Sequence, residues 1–219
     1  MGNSPALALI TALTGADDFV PERMELRLAS ELGHVDSLAL DAYYDVNDHF
    51  RVAITSSSDA RRELGAGRGL CLHDCDEKYA GLSGEAQIKA GDHLVGRGAI
   101  DTSRFAPTAV AVELGLDIHY ATGRYHAVLS PVLRLGIARR DLANRDNAGA
   151  LAQFAVDLTD NVGVFGEGRI GIDVDALDDT PMLGVAGGAY LHVGGYAVSA
   201  KVGDNNVGLF GGVAICYVL

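Results

Sequence analysis

The sequence contains no tryptophan, only 5 prolines and only 3 cysteines in 219 residues. It also lacks any run of about 18 consecutive apolar residues, which excludes a membrane-spanning helix. The longest apolar stretch, Ala6–Leu13, is too short to cross a bilayer and has no basic residues before it. We interpret residues 1–22 as an N-terminal tail or signal-peptide remnant, although the apolar stretch also fits a short helix. Because no composition break follows, we expect residues 23–219 to form one domain.

Basic residues are scarce as well, since 29 acidic side chains outnumber 17 basic ones and the net charge is −12. This balance argues against a nucleic-acid partner, which requires a clustered basic face. It also argues against a basic amphipathic segment that binds anionic lipid. No glycine-rich phosphate loop is present, because the glycines fall within alternating segments, where they allow curvature and close strand approach. We expect no cofactor.

From Met24 onward, apolar and polar residues alternate almost everywhere. Within 108–120, for example, Val112 and Leu114 alternate with Glu113, while Leu116 and Ile118 alternate with Asp117. Alternation over about 10–13 residues is typical of strands. Twelve segments predict strands, at 24–33, 37–46, 49–57, 79–90, 93–101, 108–120, 125–138, 151–159, 162–174, 183–192, 195–203 and 207–218. No helical stretch separates them, which favours an antiparallel meander.

The predicted connections alternate in length. Short turns fall at 46–48, 90–92, 121–124, 160–161 and 193–194, and longer links at 58–78, 102–107, 139–150, 175–182 and 203–206. Only the link at 34–36 is short where a longer one is expected. Short turns at one end and longer loops at the other are typical of outer-membrane barrels. An even number of strands then places both termini at the turn end.

The apolar faces favour contact with lipid over a soluble sandwich, which also alternates. They carry essentially no charge in their central spans. The predicted length of 10–13 residues matches the roughly 9–11 that cross a bilayer at a tilt, whereas soluble strands usually have about 5–6. An aromatic girdle is predicted beside the short turns: Tyr44, Phe50, Tyr120, Tyr125, Tyr196 and Tyr217. At the opposite end of the strands, Phe154 is the clearest candidate for an outward aromatic residue. The other face consists mostly of small or charged residues. Such side chains cannot fill a dry core of roughly 12 Å radius.

Residues 24–219 resemble the outer-membrane β-barrel proteins of Gram-negative bacteria. The segment Val207–Leu219 is similar to the C-terminal strand that the barrel-insertion machinery reads in that class. It departs from the pattern in ending on Leu219, with its aromatic residue at Tyr217. The resemblance implies a single transmembrane antiparallel up-and-down β-barrel in the bacterial outer membrane. It also implies outer-membrane lipid and the insertion machinery as partners, with turns in the periplasm and loops outside.

The face opposite the apolar one carries charges of both signs. We predict that it lines the pore with Asp41, Arg51, Glu85, Arg97, Glu113, Asp117, Arg134, Glu167, Arg169, Asp173 and Lys201. It also holds Glu25, Arg27, Glu31, Lys89 and Asp157. Closing the 90–92 turn with three residues places Glu85 directly opposite Arg97, as a cross-strand pair. These charges indicate either a polar pore with mild cation preference or a salt-bridged interior that closes the barrel.

Five histidines are predicted on the inward face beside the short turns, on five strands: His49, His93, His119, His126 and His192. They are expected to ring the periplasmic mouth. Because histidine titrates near neutrality, such a ring changes pore charge with pH or binds a soft metal. Polar residues at a wet rim are the simpler interpretation.

The cysteines Cys71 and Cys75 lie in the longest link, where a disulfide would join them. The alternatives are free thiols or a metal site with His73, but we predict no metal centre because the sequence shows no fourth ligand. Cys216 is predicted to be a packing residue.

Passive passage of ions or small polar solutes is therefore the leading functional prediction. A closed structural barrel, whose extracellular loops carry recognition, is the alternative. An enzyme is disfavoured: outer-membrane phospholipases use Ser, His and Asn on the lipid-facing surface, whereas no histidine is predicted on an outward face here. His73 with Asp74 and Asp76 only loosely resembles the site of outer-membrane proteases.

Overall fold

The computed structural model describes residues 19–32, 37–57, 81–103, 110–138, 146–174, 181–205 and 208–219. Twelve strands run through them: β1 Met24–Leu32, β2 Ser37–Asp45, β3 Phe50–Ser57, β4 Gly81–Lys89, β5 Leu94–Ser103, β6 Val110–Thr122, β7 Tyr125–Ala138, β8 Asn147–Asp157, β9 Val162–Asp173, β10 Met182–Val193, β11 Tyr196–Asn205 and β12 Gly208–Val218. Within these described ranges, no helix is long and apolar enough to cross a membrane.

The strands form a closed antiparallel barrel in which each strand pairs with its neighbours in sequence and β1 pairs with β12. At this seam Glu25 lies opposite Val218 and Leu32 opposite Gly211. The Leu219 N–H donates to the Met24 carbonyl at 2.8 Å and extends the pairing by one bond. Closure satisfies the backbone groups that an open sheet edge would leave without partners in hydrocarbon. The predicted up-and-down barrel of twelve strands is confirmed.

Two of the predicted longer links differ most from the observed connections. Strand β8 begins at Asn147 rather than at 151, since the small residues of 147–150 carry no clear alternation. Strand β11 continues to Asn205, and β12 begins at Gly208, so only residues 206–207 join them. The sequence Gly203-Asp204-Asn205 is typical of turns, yet its residues pair with Phe210, Leu209 and Gly208. The longer link predicted at 203–206 is therefore wrong.

The turn between β4 and β5 corrects one predicted contact. Its three residues are Gly91–His93, one position later than predicted, because Gly91 adopts a φ of +83° and the Ala90 N–H donates to the Leu94 carbonyl. Shifting the turn by one residue shifts every cross-strand partner by two. Gln87 therefore faces Arg97, and Glu85 faces Ala99. The predicted direct pairing of Glu85 with Arg97 is wrong.

The two faces of the barrel differ sharply in polarity. Outward side chains such as Ile54, Leu114 and Val185 are 53–65 % exposed. Inward charged side chains such as Asp41 and Asp117 are fully buried. A soluble sandwich would bury the apolar face, so this arrangement identifies the outside as the surface that meets hydrocarbon.

Outward aromatic side chains gather at the end of the barrel that carries the short turns, which we call the turn side; the other end is the loop side. Tyr196 and Tyr217 stack with ring centroids 4.4 Å apart, and Tyr125 and Phe154 stack at 6.2 Å. Phe154 therefore lies at the turn side and not at the opposite end. The reason is the early start of β8, which places residue 154 near the far end of the strand.

The barrel lumen as candidate functional site

The inward charges of β1–β6 form closely paired groups. Arg97 on β5 reaches two carboxylates of β6, with Nη1 4.0 Å from Glu113 Oε1 and Nε 3.7 Å from Asp117 Oδ2. Gly115, which lies opposite Arg97, separates these two carboxylates in sequence. A Cβ atom at Gly115 would overlap the Arg97 side chain, so the guanidinium lies over the strand between its partners. Glu85 is a third carboxylate that acts on Arg97 electrostatically.

Two further cross-strand pairs continue this packed region along β1–β3. Arg27 lies opposite Asp41, with Nε 3.8 Å from Oδ2. Arg51 lies opposite Asp45 and forms a two-point contact with its carboxylate. The side chains of all four are at most 5 % exposed. Long charged side chains therefore cover one another here, and little of this wall faces free space.

The wall formed by β10–β12 is built differently. Its inward positions are mostly glycine, alanine and other small residues, and most are half-buried rather than buried. At Gly203 an added Cβ atom would meet the ring of Phe210, so this ring lies over the neighbouring strand. Lys201 of β11 and Arg169 of β9, the strand that adjoins this wall, are 13–14 % exposed and share Glu167, also on β9, with Lys201 Nζ 3.0 Å from Glu167 Oε1. Each cation lies 5.6 Å from the centre of the Phe210 ring.

An apolar cluster occupies the lumen near the turn side of β7–β12. Its buried members are Val128, Ala155, Phe165, Tyr190, Ala197 and Cys216. The Cys216 thiol donates to Glu25 Oε1 at 3.1 Å across the seam. The lumen is thus partly filled by apolar and aromatic groups, which sequence alternation alone did not indicate.

The five histidines do not all belong to strands. His49 and His93 lie in turns because β3 and β5 each begin one residue later than predicted, so the prediction of five strand histidines is wrong for these two. The His49 side chain is 69 % exposed, and its Nδ1 lies 2.6 Å from Asp48 Oδ1. This hydrogen bond lowers the pKa of Asp48 below its ordinary value.

The other three histidines point inward. His119 and His192 are half-buried, while His126 is buried. His126 Nε2 lies 2.9 Å from Asp157 Oδ2, and the Tyr190 hydroxyl donates to the other oxygen of that carboxylate. This network ties β7, β8 and β10 together across the turn-side mouth.

Several predicted site residues lie outside the described part of the chain. Cys71, Cys75 and His73 fall there, as do the side chains of Asp173 and Glu31. The disulfide between Cys71 and Cys75 stays a prediction. In the described ranges no three His, Cys, Asp or Glu side chains are arranged to hold a metal ion.

The structure adds two residues that the sequence analysis did not single out. Phe19, which precedes the alternating region, is 5 % exposed and packs against Val95 inside the barrel. Asp45 is 1 % exposed and is hydrogen-bonded to the Val20 N–H at 2.9 Å. The only sequence signal for Asp45 was its place on the polar face of β2, and Phe19 had none.

Comparison with known proteins gives matches of fold alone. No family model matches the chain, and no curated protein is significantly similar in sequence. The KdgM porin, solved in complex with disordered oligogalacturonate, has a TM-score of 0.63 at 8 % identity, covering 88 % of this chain and 98 % of its own. The NanC porin has a TM-score of 0.58 at 10 % identity, and the match covers 89 % of this chain and 98 % of that porin. The Acinetobacter baumannii outer membrane protein Omp33 has a TM-score of 0.51 at 11 % identity, and the match covers 91 % of this chain and 99 % of that protein.

The closed barrel, its apolar exterior and these similarities define the class of the protein. It is a twelve-stranded outer-membrane β-barrel of porin-like architecture. The outer-membrane location predicted from the sequence agrees with this class.

Proposed function

We propose that the protein forms a narrow pore through which ions or small polar solutes pass passively, with a mild preference for cations. The observation that carries this proposal is the unequal exposure of the two walls. The charged wall of β1–β6 is packed, whereas the small-residue wall of β10–β12 keeps inward surface accessible beside Lys201 and Arg169. We therefore expect the passage beside the half-buried residues of β10–β12, and we expect it to admit only small solutes because the apolar cluster of β7–β12 occupies part of the lumen at the turn side.

The cation preference follows from the acidic excess of the whole chain, 29 acidic against 17 basic side chains. Inside the lumen most carboxylates face a guanidinium or an ammonium group, as Glu167 does. Because paired charges largely cancel for a passing ion, we expect the preference to be weak.

A closed structural barrel is the second candidate, and a specific observation favours it. Asp41, Gln87 and Asp117 have no exposed surface although they lie inside the barrel. A wide, water-filled lumen would leave such side chains exposed to water. In this second function the loops carry recognition and the interior serves only stability.

Single-channel recording of the purified protein in a planar bilayer separates the two. The pore proposal predicts steady, small current steps and a reversal potential slightly toward the cation equilibrium value in a salt gradient. Absence of steps, with the barrel shown to be folded by its heat-dependent gel migration, would contradict the pore and support the closed barrel.

A further inference from the structure

The inward face of β10 is accessible on both sides of one buried residue near the turn side. Gly188 and His192 are half-buried, whereas Tyr190 between them is 2 % exposed. The same change occurs on β12, where Cys216 is 5 % exposed and both of its inward neighbours along the strand are half-buried. Tyr190 and Cys216 both belong to the apolar cluster of β7–β12. The accessible wall is therefore interrupted where this cluster lies.

The apolar cluster lies across the route from the accessible wall to the turn-side mouth. Each of its six members is among the four residues of its strand that are nearest the turn side, and together they represent six successive strands. The Cys216 thiol donates to Glu25 of β1 at 3.1 Å, which joins the cluster to the packed wall of β1–β6. A solute that follows β10–β12 must therefore cross the cluster before it reaches the mouth.

Two aromatic rings are the largest members of the cluster, and each lies over a glycine of the neighbouring strand. Phe165 of β9 is paired with Gly188, where an added Cβ atom would meet its ring. Tyr190 is paired with Gly163 of β9 in the same way, and its hydroxyl donates to Asp157 of β8. The glycines leave room for the two rings inside the barrel, and the hydrogen bond fixes the position of the tyrosine.

We propose that the apolar cluster of β7–β12, with Phe165 and Tyr190 as its largest members, is the constriction of the pore. This inference rests on the proposed function of passive passage. The cluster contains no charged side chain, so it restricts a solute by size and by the free energy needed to remove its water. It acts on ions of either sign alike and adds nothing to the weak cation preference.

Single-channel recording of Phe165→Ala tests the constriction. Removing the ring opens space over Gly188, so we expect unitary conductance to rise by about twofold or more, because an apolar constriction limits passage. Phe154→Ala is the matched control: it removes the same ring at the same end of the barrel, but from the lipid-facing side. Its conductance should equal that of the unchanged protein. Phe165→Leu, a smaller truncation, takes the place of Phe165→Ala if the alanine variant does not fold.

The outcomes separate this inference from the proposed function. A conducting wild type with an unchanged Phe165→Ala conductance overturns the constriction and leaves the pore. A silent wild type with a conducting Phe165→Ala supports the constriction and overturns a permanently open pore. Silence in both overturns both.

The reactivity of Cys216 checks the barrier without any current. In a chain that carries Cys71→Ser and Cys75→Ser, a charged, water-soluble thiol reagent should react slowly with the folded barrel, because the cluster buries this thiol. Phe165→Ala should raise the reaction rate by about tenfold or more, since reactivity depends on access, and Phe154→Ala should leave it unchanged. A rate that is the same in all three chains would contradict a barrier formed by the cluster.

Discussion

The wall of β1–β6 and the wall of β10–β12 face the same lumen but are stabilised in different ways. In the first, arginines reach across strands to carboxylates, and their side chains cover one another until almost none is exposed. In the second, small inward residues leave part of the wall accessible, and Lys201 of β11 shares Glu167 of β9, the strand that adjoins this wall, with Arg169, also on β9. A buried charge requires partners, which makes the first wall rigid and sensitive to substitution. The second wall depends less on any one side chain, and this is where a passage fits.

The largest expected effect comes from removing Arg97. Arg97→Ala removes the guanidinium that Glu113 and Asp117 share, and we expect a loss of about 3–5 kcal/mol in unfolding free energy. Lys201→Ala in the other wall should cost about 1–2 kcal/mol, because Glu167 keeps Arg169 as a partner. Urea unfolding of the barrel in lipid vesicles measures both. Equal losses would remove the distinction between the walls.

A methyl group at Gly115 should have the next largest effect. Gly115→Ala places its Cβ atom against the Arg97 side chain, so we expect destabilisation of about 1–3 kcal/mol from overpacking. Gly84→Ala on β4 is the control, since nothing lies within 4 Å of its added Cβ atom. The same unfolding experiment applies, and a Gly115→Ala barrel as stable as the Gly84→Ala barrel would show that Arg97 is free to move aside.

The smallest expected effect lies outside both walls, in the turn between β2 and β3. The hydrogen bond from His49 lowers the pKa of Asp48 from an ordinary value of 3.8. A lowered pKa stabilises the folded state above the ordinary pKa, and the contribution disappears as the pH falls through the folded value. His49→Ala should therefore raise the pKa of Asp48, which an NMR titration of its carboxyl carbon measures. An unchanged titration curve would mean that the bond does not persist in solution.

Strand positions and faces were predictable because a period of two follows directly from strand geometry. Cross-strand contacts were harder, because they depend on which residue begins a turn. The positive φ of Gly91 shifted the partners of Arg97 by two, and the later starts of β3 and β5 moved His49 and His93 into turns. Phe19 was unpredictable, since a single aromatic residue before the alternating region carries no periodic signal. Its position depends on Asp45, 26 residues away, through contacts that exist only in the closed barrel.

The most direct measurement of the central claim compares two glycines of β10 by single-channel conductance. Gly184 points into the lumen and Gly187 toward lipid, and an added Cβ atom meets only ordinary contacts at either position. If solutes pass along β10–β12, Gly184→Leu should reduce conductance by about half or more, while Gly187→Leu should leave it unchanged. Equal conductance in the two variants would contradict a passage along this wall.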